Sequence, residues 1–206
     1  LPAWIISTLM MIIIYYGVSG GFRVVAGIAF ASFISPQILF ILLYFNLLKD
    51  AHFTNLLPIM DHSFIEMLAS VKSSMYTLAG TEVLLMFYPF IRDAKSSKKF
   101  AHFAVLFTTL LYTFSSIVSF TFYSESQLST TIWPELSLTK ILKFPFVDRF
   151  EYIYISIYLN IVVALMSLLL WSSSRGLKRI FNKQQKYTLL ILCTTGIILC
   201  QIINGP

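Results

Sequence analysis

The residue whose chemistry stands out is Glu82. It sits inside the apolar stretch from Phe64 to Ile91, at the end of the run Ser73-Ser74-Met75-Tyr76-Thr77-Leu78-Ala79-Gly80-Thr81-Glu82. On a helix rising about 1.5 Å per residue it lies about 15 Å from Arg92, which puts it near the middle of a bilayer. Insertion scales set the cost of a central charge at about 3 kcal/mol, so this carboxyl must be protonated, hydrogen bonded or turned toward a polar cavity. Gly80 weakens a helix just before it, and the hydroxyls of Thr77 and Thr81 can bond carbonyls freed by a local break. Half-helix ends at such a break offer N–H groups to a substrate carboxylate and C=O groups to an amine or cation, the recurring device of secondary transporters. The same residues also permit a plainer role, in which Glu82 locks packing by bonding a neighbouring helix and Gly80 allows close approach.

A second polar set lies in Tyr152-Ile153-Tyr154-Ile155-Ser156-Ile157-Tyr158-Leu159-Asn160. The alternation resembles a strand, but an isolated strand cannot satisfy its backbone in lipid, so a helix is expected. On that helix Tyr154 and Tyr158 share one face and Ser156 and Asn160 another, and either face can line a cavity. Tyr152 and Tyr154 also suit an interfacial anchor, while Tyr158 and Asn160 lie deeper. His52, His62 and His102 are scattered without metal-ligand spacing, so no metal site is expected. Cys193 and Cys200 sit in the last apolar run, where thiols behave as small buried hydrophobes. No nucleophile elbow, HExxH or phosphate-binding glycine loop is present, and nothing points to an enzyme or to a cofactor.

The elements that must position these groups follow from composition. Of 206 residues, 57% are apolar and 12% charged, which excludes an ordinary soluble domain. Apolar runs bounded by charge predict about six transmembrane helices, at 3–18, 31–48, 64–91, 100–122, 152–171 and 187–203, in one transmembrane domain over 1–206. Between the first two, Gly20-Gly21-Phe22-Arg23-Val24-Val25-Ala26 reads as a turn and a short interfacial segment. Arg92, Lys95, Lys98 and Lys99 fill one loop, and Arg175, Lys178, Arg179, Lys183 and Lys186 another two spans later, so both are expected inside. The loops expected outside carry Asp50, Asp61, Glu125, Glu135, Asp148 and Glu151 among their bases. The first span then runs inward and the last outward. The net charge of +6 is explained by topology and anionic headgroups, so no nucleic acid partner is expected. The ends, Leu1-Pro2-Ala3-Trp4 and Asn204-Gly205-Pro206, show no signal peptide and lead to the expectation of further spans beyond one or both.

Five motifs then carry a resemblance. Asn55-Leu56-Leu57-Pro58, Gly80-Thr81-Glu82-Val83-Leu84-Leu85, Tyr88-Pro89-Phe90-Ile91, Trp133-Pro134-Glu135-Leu136-Ser137-Leu138 and Phe144-Pro145-Phe146-Val147-Asp148-Arg149-Phe150-Glu151 resemble, in order and spacing, the B subunit of nutrient germinant receptors of spore-forming bacteria. That family belongs to the amino acid/polyamine/organocation transporter superfamily, and the resemblance implies an all-α integral membrane protein with part of a LeuT-like five-plus-five inverted-repeat fold. On that template the chain is similar to spans four to nine of ten, in the orientation the charges predict, with the unwound first span of the ligand site not in this sequence. The other broken helix corresponds to Thr77, Leu78, Ala79, Gly80, Thr81 and Glu82, and the eighth span brings Tyr158 toward the site, with Asn160 close by. Thr81 departs from the family pattern, in which an aromatic commonly precedes the Glu. The implied function is a receptor subunit of the spore inner membrane that binds a small nutrient, an amino acid first, beside A- and C-type subunits. A proton-coupled amino acid transporter with Glu82 as proton carrier is the alternative, and a structural scaffold or truncated remnant a third.

Overall fold

The structure, a computed structural model, describes residues 3–47, 51–57, 63–75, 80–141, 149–182 and 184–204. Among the described residues there is helix and no strand, as expected where a backbone in lipid must pair within its own segment. The α-helices are α1 (Ala3–Ser19), α2 (Phe22–Leu47), α3 (Phe64–Ser74), α4 (Leu84–Phe87), α5 (Ala94–Phe122), α6 (Glu125–Thr130), α7 (Pro134–Ile141), α8 (Phe150–Phe181) and α9 (Gln185–Asn204). Short 3-10 turns cover Phe53–Leu56, Thr81–Val83 and Tyr88–Phe90. Among the described residues four stretches are long and apolar enough to cross a membrane: Phe22–Ile41, Ala94–Phe122, Phe150–Phe181 and Gln185–Ile202. Trp4–Ser19 and Thr81–Phe90 are apolar but shorter. This is an all-α integral membrane protein, and its many exposed Ile, Leu and Phe side chains are those of lipid-facing helices.

The sequence itself sets the element starts. Ser63 caps α3 and Ser124 caps α6, each in a reciprocal capping box with the residue three ahead, Glu66 and Gln127. The Asp93 carboxylate accepts from the backbone N–H of Lys95 (3.1 Å) and Ser96 (3.2 Å) and so opens α5. Hydrogen bonding by Ser96 holds that carboxyl below the usual carboxylate range. At 29 residues α5 exceeds what a bilayer requires, and the surplus is its basic first turns, with Lys95, Lys98 and Lys99. Likewise α8 runs through Arg175, Lys178 and Arg179, so its last turns are charged helix and not loop.

Two local features have backbone causes. Residues 22–26, expected as an interfacial segment, are the opening of α2. The reversal needs only Gly21, at φ +85°, a left-handed conformation that suits glycine. The stretch 64–91 is not one continuous helix: α3 ends at Ser74, and Gly80 has φ 106° before the 3-10 turn Thr81–Val83.

The chain divides into two compact units. The first comprises Leu1–Ser35, Gly80–Phe90 and Ile157–Pro206. Its core gathers Ile14 and Val18 of α1, Val25 of α2, Trp171 of α8, and Leu189 and Cys193 of α9, with Phe22, Met86 and Phe87 packed on them. Phe22 lies 4.9 Å from the Trp171 ring and 4.7 Å from Phe90. The half-buried Arg175 places its guanidinium 4.9 Å from Phe90 and 5.8 Å from Trp171, a cationic group accommodated by ring faces. Gly17 is buried at the α1–α2 approach, where a Cβ would come within 2.8 Å of Ile28 Cδ1. Ser174 ties α8 to α9, accepting from Gln185 Nε2 (3.1 Å) while its carbonyl accepts from Thr188 Oγ1 (3.3 Å).

The second unit comprises Pro36–Ala79 and Ile91–Ser156. Phe40, Tyr44 and Phe114 stack between α2 and α5. The turn Phe53–Leu56 is held on α5 by Thr121, whose carbonyl accepts from the His52 backbone N–H (3.1 Å) and Asn55 Nδ2 (3.2 Å). Both long helices α2 and α8 contribute to both units, and in α2 the division falls at Pro36, whose missing N–H removes one helical bond.

Trp171 is 1% exposed and meets the rings of Phe22 in α2 and Phe90 in the 3-10 turn. Truncating it to alanine is expected to cost about 3 kcal/mol or more. Reversible unfolding of the full-length protein in mixed detergent micelles will show this as a midpoint shift well beyond that of an exposed control such as Ile180→Ala.

Candidate functional site

Five of the eight residues singled out from sequence, Gly80, Thr81, Glu82, Tyr158 and Asn160, are described and fall in the first unit. Thr77, Leu78 and Ala79 lie outside the described residues.

Gly80 is the pivot of the local geometry. Its φ of 106° is in the left-handed region, which an L side chain enters at a cost of about 1–2 kcal/mol. Its carbonyl accepts from the Val83 N–H at 3.2 Å, which closes the 3-10 turn Thr81–Val83. Its own N–H, which a continuous helix would direct to a carbonyl four residues back, donates to Glu82 Oε2 at 2.9 Å. The carboxylate thus folds back on the glycine and accepts from its N–H. A carboxylate has about four lone-pair sites, so one backbone bond leaves acceptor capacity for an ammonium or hydroxyl. Both Thr81 and Glu82 are exposed.

The segment from Gly80 to Phe90 runs along α8. Gly80 faces Leu165, whose Cδ1 would stand 3.7 Å from a Cβ built on the glycine, and Met86 Cε meets Gly176 at the same distance. Val83 is buried between these points. Along α8 this register separates the two remaining site residues. Tyr158 lies seven residues, about two turns, before Leu165, so the two share a helix face. Tyr158 is 46% exposed on that face. Asn160 is five residues before Leu165 and turned well away from it. Its Oδ1 accepts from the buried Ser32 Oγ (3.0 Å), its backbone carbonyl also lies within reach of that hydroxyl (3.3 Å), and its Nδ2 donates to Ser35 Oγ (3.5 Å). The structure therefore brings Gly80, Thr81 and Glu82 together, places Tyr158 on the same side of α8, and engages Asn160 in a clamp between α8 and α2.

A second polar cluster, in the other unit, carries no local sequence signal. Glu135, in the first turn of α7, accepts at Oε1 from Ser115 Oγ (2.8 Å) and Tyr44 Oη (3.2 Å), and at Oε2 from Tyr154 Oη (2.8 Å). Tyr44 and Ser115 are themselves 2.5 Å apart. The partners come from α2, α5 and α8 and are separated from Glu135 by tens of residues, so no spacing rule finds them. Among the described residues no group of three or more His, Cys, Asp or Glu gathers as metal ligands would.

With this geometry in hand, comparison with known proteins decides the family. The spore germination protein family matches residues 1–206, the whole chain. The chain belongs to that family. It is 43% identical over 205 residues to spore germination protein GerQB of Bacillus cereus, covering all of this chain and 57% of that protein. Spore germination proteins B2 and A2 of Bacillus subtilis (strain 168) are each 22% identical, over 73% and 92% of this chain and 41% and 54% of their own length. The chain spans about half the length of the curated relatives it matches. No solved structure matches. For this germination-family member, the helical membrane architecture and the family agree.

Three substitutions separate the roles at this site. Gly80→Ala is expected to cost about 1–2 kcal/mol through backbone strain, since Leu165 leaves room for the methyl group. Asn160→Ala removes the side-chain contacts to Ser32 and Ser35, leaving the Ser32 hydroxyl its backbone carbonyl at residue 160, and is expected to cost about 1 kcal/mol, whereas Tyr158→Phe leaves stability unchanged. Unfolding midpoints of the full-length variants in detergent measure all three.

Proposed function

We propose that this chain is part of a membrane subunit of a spore nutrient germinant receptor, and that it binds a small nutrient at a helix broken near the bilayer midplane around Gly80. The observation that carries the proposal is the left-handed Gly80 with its N–H on the Glu82 carboxylate. Membership of the spore germination protein family supplies the biological setting. An amino acid is the ligand class this chemistry fits best: its ammonium suits the spare acceptor capacity of Glu82, and its carboxylate can compete with Glu82 for the Gly80 N–H. Tyr158, on the face of α8 that meets Gly80, is the aromatic side chain we place beside the ligand. Thr77, Leu78, Ala79 and Thr81 complete this half of the site. The acidic loops are placed outside and the basic ones inside, in the spore inner membrane, with A- and C-type subunits as the partners that receive the conformational change.

The second reading, proton-coupled amino acid transport, rests on the same carboxylate, since an intramembrane Glu is a standard proton carrier. Purified full-length protein in proteoliposomes distinguishes the two. On the sensing reading a radiolabelled amino acid binds, Gly80→Trp abolishes binding by blocking the turn, and no label accumulates inside under a pH gradient. Accumulation that collapses with the gradient and is lost in Glu82→Gln would replace sensing with transport. Binding of no amino acid by the wild-type protein, alone or assembled with its partner subunits, would overturn the ligand assignment.

A further inference from the structure

The Glu135 cluster lies outside the proposed nutrient site, and what it positions is informative. Residue for residue, α7 is weakly anchored. It has eight residues, too few to hold a helix unaided, and its buried residues are Leu138 and Thr139. Two polar ties hold its first turn. The Tyr123 hydroxyl, one residue past the Phe122 end of α5, donates to the Pro134 carbonyl at 3.1 Å. Glu135, the next residue, receives the hydroxyls of Tyr44, Ser115 and Tyr154 from three long helices. Immediately before these ties stand Ile132 and Trp133, 85% and 60% exposed. Two large apolar side chains displayed at the tip of a connection are costly in water, at about 25 cal/mol per Å2 exposed in general terms. The Tyr123 to Pro134 bond fixes their depth: they sit at the level where the apolar helix α5 ends. Exposed side chains near that end of α5, Ile117 and Phe120, belong to the lipid-facing surface. An indole at such a level meets the boundary between headgroups and acyl chains, where its apolar body and polar N–H are both accommodated.

We propose that Ile132 and Trp133 form a foot that rests in the lipid headgroup boundary, and that Glu135 is the clasp that holds it there. The partner is the bilayer itself, not another protein. Three hydroxyl donors orient α7 through the one carboxylate, and each long helix contributes one contact to the position of the foot. This reading is independent of what the nutrient site binds.

Depth-dependent fluorescence quenching tests it. The full-length protein is reconstituted in phosphatidylcholine vesicles carrying bromines at shallow or deep acyl positions, and the Trp133 signal is taken as the difference between wild type and Trp133→Phe. The expected result is about twofold quenching of that signal by shallow bromines, little by deep ones, and little by aqueous iodide. In Tyr154→Phe and Glu135→Gln the shallow quenching falls and iodide quenching rises. A Trp133 signal open to iodide and unaffected by bromolipids overturns the foot, as does a signal shielded from both, which would mean a protein partner covers it. Unchanged quenching in both clasp variants overturns the role of Glu135. Should Glu135→Gln fail to accumulate, Tyr154→Phe, which removes one hydroxyl, still decides the point.

Discussion

The rest of the structure depends on one constraint: a polar backbone group in an apolar phase has to find its partner within the protein. Helices satisfy it automatically, and wherever the helix stops a side chain must supply what is lost. At Gly80, whose backbone is left-handed, the N–H donates to the carboxylate two residues on. That single exchange accounts for three features at once. Glycine is needed for the backbone angle, a short reach from residue 82 suffices for the bond, and an acidic group is stabilised within an otherwise apolar stretch by a donor that would itself be costly unpaired.

Similar exchanges hold the two units internally, though with different chemistry. In the first unit the ties are amide and hydroxyl groups between neighbouring helices: Asn160 with Ser32 and Ser35, and Ser174 with Gln185 and Thr188. The Ser174 tie lies one turn from Trp171 in the aromatic core, so apolar packing and polar registration act on the same helices. In the second unit the principal tie is a carboxyl group, with Glu135 accepting from three hydroxyls. Interhelical polar contacts of this kind contribute about 1 kcal/mol each in membranes and fix register more than they add stability.

Much of this was legible in the sequence because lipid narrows the choices. Apolar runs of about 20 residues had to be helices, and the interruption at Gly80 was signalled by glycine beside threonine and glutamate. Element ends were harder. Residues 20–26 look like a turn and an interfacial segment because Arg23 follows closely on two glycines, yet one positive φ at Gly21 reverses the chain and lets α2 begin at Phe22. Arg175 and Lys178 read as loop, whereas aromatic faces receive the Arg175 guanidinium and α8 continues through it. The contacts of Asn160 with Ser32 and Ser35 could not be read, because those partners are more than a hundred residues away in the chain. The hydroxyl cage of Glu135 was invisible for the same reason, and its loop position made it resemble one more solvated acid.

The central claim is that the Gly80 to Glu82 turn belongs to the machinery of sensing and not merely to the packing of the membrane helices. Its most direct test is the germination of spores that carry Glu82→Gln in the full-length gene, with the amount of the protein in spore membranes measured in the same preparation. The glutamine keeps an acceptor for the Gly80 N–H and removes the charge. Loss of the nutrient response at a normal protein level is the result this account predicts; a full response at a normal level would contradict it and leave Glu82 a packing residue.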